Sequence, residues 1–297
     1  MNVFVFMRAY NSEYYVAIQQ IINKVLETQG KVFFPKLVES DILKAFQFIP
    51  HLVFWDTEKP LGKDVDLVIS LGGDGTLLAT VDLILDANIP VIGINFGRLG
   101  FLSYTSKEDL VLVLENFIEK NYTLSHRTVL EIINSKELVG KTFYALNDVS
   151  IHKIDTGNMI FVKTFINGTY LNAYWSDGII ISTPTGSTAY NLSCGGAILA
   201  PETQNFIITP ISPHNLSARP IVIPDSSVVS FLPEGRTKRF AVSADSKHFF
   251  LEKEAEILVK KAPFTIPFLQ MPEDNFFSIL REKMKWGDDL RNEMQKN

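Results

Sequence analysis

Hydrophobic positions in the first third of the chain switch between two rhythms. Short apolar runs, VFVFM at 3–7, KVFF at 31–34, VDLVISL at 65–71 and IPVIGIN at 89–95, read as strands. Between them Tyr15, Ile18, Ile22, Val25 and Leu26 recur at helical spacing, opened by Asn11 or Ser12 and closed by Gly30. Further helices are predicted over 76–86 and 106–119. VDLVISL is apolar without alternation, as a strand covered on both faces should be, and strands alternating with helices imply a parallel sheet.

From about residue 122 the texture changes to short β-branched and aromatic runs, among them TLSHRTVLEIIN, MIFVKTFING, NFIITPIS and KRFAVSA, parted by Gly, Asn, Pro and charge clusters. That pattern predicts hairpins in a sandwich or two packed sheets. The tail returns to helical spacing through Phe277, Leu280 and Met284. The expected organisation is an α/β nucleotide-binding domain over 1–121 and a mainly β domain over 122–270. A C-terminal helix over 271–297 would dock on the first domain or on a neighbouring subunit.

Composition narrows the class. The chain has 297 residues, nearly half of them apolar, and a net charge of −5 with no long basic run, which argues against a nucleic-acid binder. Cys194 is the only cysteine, so no internal disulfide can form and a reducing, cytoplasmic setting is expected. The opening residues read as a first strand, and no apolar stretch approaches a membrane span.

The chemistry gathers at turns. LVISLGGDGTLL (67–78) ends a buried strand in Gly72, Gly73 and Gly75 around one acid, Asp74. Bare backbone there lets N–H groups approach an anion, and Thr76 is an expected N-cap for the next helix. NFGRLGFLS (95–103) again puts glycines with Asn95 and Arg98 at a strand end; alone it reads as a loop with Phe101 packed inward. SDGIIISTPTGSTAYNLSCGG (176–196) carries Thr183, Thr185, Ser187, Thr188, Tyr190 and Ser193 after an apolar strand. It reads as a hydrogen-bonding wall for a polyhydroxylated or purine ligand, against a helix start with locally satisfied hydroxyls. In LNDVS (146–150), Asn147 and Asp148 are disfavoured strand residues, met either by a ligand's ribose or by solvent. Gly140-Lys141-Thr142 lacks the first glycine of a P-loop, no dinucleotide glycine spacing occurs, and no His/Cys set has zinc spacing. His214 reads as a loop-packing residue and Cys194 as a small core or loop residue.

These motifs, with TPISPHNLSARP, SADS (243–246) and LREKMKWG (280–287), resemble the bacterial NAD kinases in order and approximate spacing. GGDGT alone is shared with diacylglycerol, sphingosine and 6-phosphofructokinase relatives; combined with STPTGSTAY it is far more selective. The resemblance implies ATP-dependent phosphorylation of the 2′-hydroxyl of NAD's adenosine ribose with a divalent cation, Mg2+ above all, in a homodimer or homotetramer. It makes Asp74 the catalytic base. It makes Asp74, Gly75, Asn147, Asp148, Asp177, Thr188, Ala189, Tyr190, Asn191, Leu192 and Ser193 contacts of NAD, and adds Phe101, Trp175 and Lys247 to that site. Gly72, Gly73, Gly75, Thr76 and Arg98 would face the phosphates of ATP. Ala79 stands where many members are basic, and Lys247 where a glutamine is common. The rival readings are a lipid kinase, which would carry a membrane-facing element, and a non-catalytic NAD(P) sensor.

Overall fold

The computed structural model describes residues 1–286 apart from Phe48, Arg98, residues 135–141, Thr156 and Glu254. The chain divides into two units, residues 1–125 with 266–297, and residues 126–265.

Unit 1 begins β1 (Val3–Phe6), α1 (Tyr15–Glu27), β2 (Val32–Pro35), α2 (Glu39–Ala45), β3 (Leu52–Trp55) and β4 (Leu67–Leu71). It continues with α3 (Asp74–Leu78), α4 (Val81–Ile84), β5 (Val91–Asn95), β6 (Thr105–Ser106) and α5 (Leu110–Glu119). α1 buries Ala17, Ile18, Ile21, Ile22 and Val25 and joins Val3, Val5, Leu67, Ile69 and Ile92 in one core. Of the expected stripe, Ile18, Ile22 and Val25 face inward while Tyr15 is exposed and Leu26 half-buried. The sheet is parallel in the order β3-β2-β1-β4-β5. Its direction of growth reverses between β1 and β4, and in open sheets of this kind ligands collect beyond the carboxyl ends of the strands at that reversal. GGDGT leaves the carboxyl end of β4 there, and NFGRLGFLS leaves that of β5.

Unit 2 takes most of β7 (Thr123–Asn134), then β8 (Phe143–Ala145), β9 (Asp148–His152), β10 (Ile160–Ile166), β11 (Thr169–Ser176), β12 (Gly178–Ser182) and α6 (Tyr190–Ser193). β13 (Asn205–Ile211), β14 (Ile221–Pro224), β15 (Val229–Glu234), β16 (Arg239–Ala244), β17 (Lys247–Glu252) and the start of β18 (Ile257–Gln270) complete it. One antiparallel sheet runs β14-β13-β12-β9-β16-β17, and another pairs β11, β10, β15 and β18. Alternate residues such as Val149, Ile151, Ile179, Ile181 and Val242 from the first meet Val162, Tyr174, Phe231 and Val259 from the second in one core. The end of β18 returns to unit 1, where Phe268 pairs in parallel with Val91 of β5, and α7 (Phe276–Met284) follows.

An α/β part, a mainly β part and a C-terminal helix are thus as expected, with local departures. The helix expected over 76–86 is split into α3, α4 and a 3-10 turn at Leu85–Ala87. Thr80 turns its hydroxyl back to the Leu77 carbonyl at 2.7 Å, and Leu85 sits at φ +42°, so the ladder breaks with no glycine or proline to announce it. Thr76 is no N-cap: α3 starts at Asp74 behind Gly73. Asn11 caps the 3-10 turn Ser12–Tyr14 ahead of α1, and Gln29 (φ +55°) turns the chain after it.

Candidate active site

Among the described residues, Asp74 is held by main chain. Its Oδ2 accepts from the Phe101 N–H at 2.9 Å, and its Oδ1 from Leu102 at 3.1 Å and Ser103 at 2.9 Å. Three consecutive amides of the β5–β6 loop therefore converge on the one acid of the β4–α3 turn. The approach requires Gly100, where a Cβ would overlap Asp74 Oδ1. A carboxylate offers about four acceptor positions, so the described residues leave one open on Oδ2. Asp74 is half-buried, fixed in direction and still open to a ligand.

The glycines divide the labour. Gly72 sits at φ +140°, which its residue type alone tolerates, and donates to the Ile94 carbonyl at 2.9 Å. Gly73 and Gly75 are exposed, with open space where a side chain would stand. The N–H groups of Asp74 and Gly75 belong to the first turn of α3 and have no partner within the helix. α3 is only five residues long, so those amides rather than a helix dipole are what the turn offers an anion. Arg8 donates to the Gly75 carbonyl at 2.7 Å, bracing the turn from the segment that follows β1. Arg98 lies outside the described residues. Phe101 carries Lys283 of α7 at 5.5 Å above its ring, and the same ammonium donates to the Leu99 carbonyl, so α7 ties down the loop that grips Asp74.

Unit 2 repeats the device. Asp245 accepts from Leu146 N–H at 2.7 Å, Asn147 N–H at 3.0 Å and Asp148 N–H at 3.1 Å. It stands in the two-residue turn between β16 and β17 at φ +50°. β16 pairs with β9 up to Ala244 opposite Val149, which puts the next side chain beside the entry to β9. Burial pushes the Asp245 carboxyl up to about 6 against the pull of those three amides and of Lys247. Burial, then the neighbouring Asp245, pushes Asp148 up to about 7. Asn147 lies one residue ahead of β9, and its Oδ1 is buried with no hydrogen-bond partner among the described residues.

The hydroxyl-rich stretch is more self-contained than a ligand wall would be. Thr183 donates to the Leu146 carbonyl at 2.5 Å, Ser182 to Asn147 and Thr183 carbonyls, and Ser187 to Pro184 and Leu199 carbonyls. Asn191 is fully buried and spends both amide hydrogens on the Ser187 and Ala197 carbonyls while accepting from Thr209 at 2.6 Å. Thr188 reaches the Thr185 carbonyl at 3.4 Å. The sequence pattern could not show that these groups bond locally first; Thr185 Oγ1 alone among the stretch's buried hydroxyls lacks a partner. Exposed Tyr190 and Ser193 and half-buried Ala189 and Leu192 form the open side. Tyr190 stacks on His152 at 5.7 Å; burial raises its phenol, and Cys194, Asp148 and Asp177 add to the shift.

Asp177 pairs with Lys153 at 2.5 Å. Lys247 reaches the Tyr144 carbonyl at 3.4 Å. Trp175 stacks on Phe161 at 5.5 Å and meets His214 at 4.1 Å, lining a cavity of about 510 Å³. His214 thus packs in a loop, as its setting suggested. Sequence reasoning left Gly100, Asp245 and Lys283 out of the site: all three lay inside quoted motifs, but only the fold reveals what they touch. Among the described residues no three His, Cys, Asp or Glu side chains converge as a metal site.

The ATP-NAD kinase N-terminal domain model matches residues 17–122 and the ATP-NAD kinase C-terminal domain model residues 146–271. An NAD kinase of Cytophaga hutchinsonii is 45% identical over 260 residues, 88% of this chain and 87% of that protein. One of Christiangramia forsetii is 40% identical over 289 residues, 95% of this chain and 98% of the other. Among solved structures, yeast NADH kinase complexed with NADH superposes with a TM-score of 0.86 at 26% identity, covering 98% of this chain and 89% of that one. An NAD kinase from Archaeoglobus fulgidus in complex with ATP gives 0.73 at 22% identity, covering 96% and 99%, a likeness of fold.

Proposed function

The chain belongs to the ATP-NAD kinase family and its activity is that of an NAD kinase; from that premise we propose that Asp74 meets the 2′-hydroxyl of NAD's adenosine ribose and takes its proton. The observation that carries this is the fixed carboxylate on which the described residues leave one acceptor position open at Oδ2. A ribose hydroxyl is a weak nucleophile at neutral pH. In a loose phosphoryl-transfer transition state it needs alignment first and deprotonation late. The O2′–Pγ bond forms as the bond from Pγ to the bridging oxygen of ADP breaks, and the proton passes to Asp74 Oδ2. General-base help of this kind is worth roughly 10²–10⁴ in rate.

The open amides of Asp74 and Gly75 suit the triphosphate, with Gly72, Gly73 and Thr76 shaping the turn around them. In unit 2, Asn147 and Asp148 offer acceptors for ribose hydroxyls, Tyr190 a flat face for a base, and Ala189 and Ser193 an accessible rim. Asp177, Trp175 and Lys247 belong to the same reading as ligand contacts. Asn191 and Thr188 serve it by shaping the loop, since their polar groups are engaged internally. A divalent cation bound with ATP would offset phosphate charge. The reading extends to a homodimer or homotetramer in the cytoplasm, without nucleic-acid or membrane partners. The net charge is −5, and among the described residues no helix is long and apolar enough to cross a membrane.

The test is to incubate the purified protein with NAD, ATP and magnesium and assay NADP. Asp74→Asn should lose at least about 10²-fold in kcat, the low end of what a general base contributes. Full turnover by that variant would remove Asp74 from the mechanism.

A further inference from the structure

Segment 146–148 is clamped on both sides of its main chain. Its carbonyls are taken from one side: Leu146 accepts from Thr183 Oγ1, and Asn147 accepts from Thr183 N–H at 2.9 Å and from Ser182 Oγ at 3.2 Å. Its three N–H groups are taken from the other by the single carboxylate of Asp245, whose own N–H returns to the Asp148 carbonyl at 3.1 Å. With the backbone groups consumed, only side chains remain to meet a ligand. Those of Asn147, whose buried Oδ1 has no partner among the described residues, and of Asp148 are the two in question.

The turn itself does not ask for an acid. A position at φ +50° is met as well by asparagine or glycine. Neither supplies two oxygens that can receive three amides, and placing this carboxylate beside Asp148 works against keeping both charged. We propose that Asp245 is a positioning residue for the acceptor substrate: by gathering the amides of residues 146–148 it sets the directions in which Asn147 and Asp148 meet the ribose hydroxyls of NAD. The inference rests on the NAD kinase reading above.

The experiment compares Asp245→Asn and Asp245→Ala with wild type in steady-state kinetics toward NAD and ATP separately, with hydrogen exchange measured at residues 146–148. Asparagine keeps one acceptor oxygen but turns an NH2 toward an amide, so it should be the milder variant. The expected result is a rise in KM for NAD of about 10–100-fold in the alanine variant, the scale of a 1 Å misplacement, and a smaller rise in the asparagine variant. KM for ATP should stay within about twofold on the same argument, and exchange at 146–148 should quicken while that of Val149 to Ile151 persists. If the alanine variant does not fold, the asparagine variant is read against the same criteria. Equal losses toward NAD and ATP, or unchanged KM for NAD in folded protein, would overturn the proposal. Wild-type protein that makes no NADP would instead count against the kinase reading, and the Kd for NAD from calorimetry then replaces KM in the comparison.

Discussion

Gly100→Ala probes the placement of Asp74 without touching it. Gly100 is not among the glycines at positive φ, so alanine's backbone is tolerated and any effect comes from the added methyl. That methyl would overlap Asp74 Oδ1, while Gly100 is itself tied to the Ser103 carbonyl at 3.0 Å in the same tight loop. Either the carboxylate or the loop must retreat by about 1 Å, enough to cost on the order of 10²-fold when it falls on a reacting group. Overpacking costs about 1–3 kcal/mol, and a weakened amide bond to a charged oxygen adds about 1.5–3. At roughly 2–4 °C per kcal/mol for domains of comparable size, Tm should fall by several degrees. NADP formation at saturating NAD and ATP, run well below Tm, should show kcat down by about two orders of magnitude. A kcat within twofold of wild type at unchanged Tm would mean that the contact between loop and acid is irrelevant to turnover.

Two further outcomes follow from the same geometry. Asp148, raised to about 7 by burial and by Asp245, stays protonated in the fold where the unfolded chain has already ionised. The stability it contributes is present below the ordinary carboxylate range and is lost as pH climbs to about 7. Over pH 6–8 KM for NAD should fall as the carboxylate forms and accepts from ribose hydroxyls. Asp148→Asn should flatten both the melting and the KM profiles, and a variant that keeps the wild-type slope would assign it elsewhere. Lys283→Met keeps the stem over Phe101 but loses the bond to the Leu99 carbonyl and the charge above the ring, so stability should drop by about 1–2 kcal/mol with a modest loss of kcat. An unaltered Tm in scanning calorimetry would show that α7 does not brace this loop.

What could be read from the letters alone follows from range. β4 and β5 announced themselves because a strand covered on both faces needs an unbroken run of Val, Ile and Leu. α2 and β3 did not: one is seven residues long, and the other is half-buried along its whole length, so neither leaves a full apolar stripe. Asp74 stood out because three glycines around one acid are more than a turn needs. Its partners did not, since Phe101 lies 27 residues away, and Asp245 is separated from Leu146 by 99. In the hydroxyl-rich stretch the letters left two readings open, and the local bonding of its hydroxyls belongs to the second of them. Hydroxyls three residues from a carbonyl find it without help from any ligand, as Ser187 and Thr188 do.

Every residue except proline carries an amide hydrogen, so the clasp around Asp74 asks almost nothing of the letters at 101–103. Drift there can change the bulk or polarity of the side chains beside Asp74 while the acid keeps its aim. Selectivity and chemical competence thereby become separately adjustable, the one written in side chains and the other in the thread that bears them.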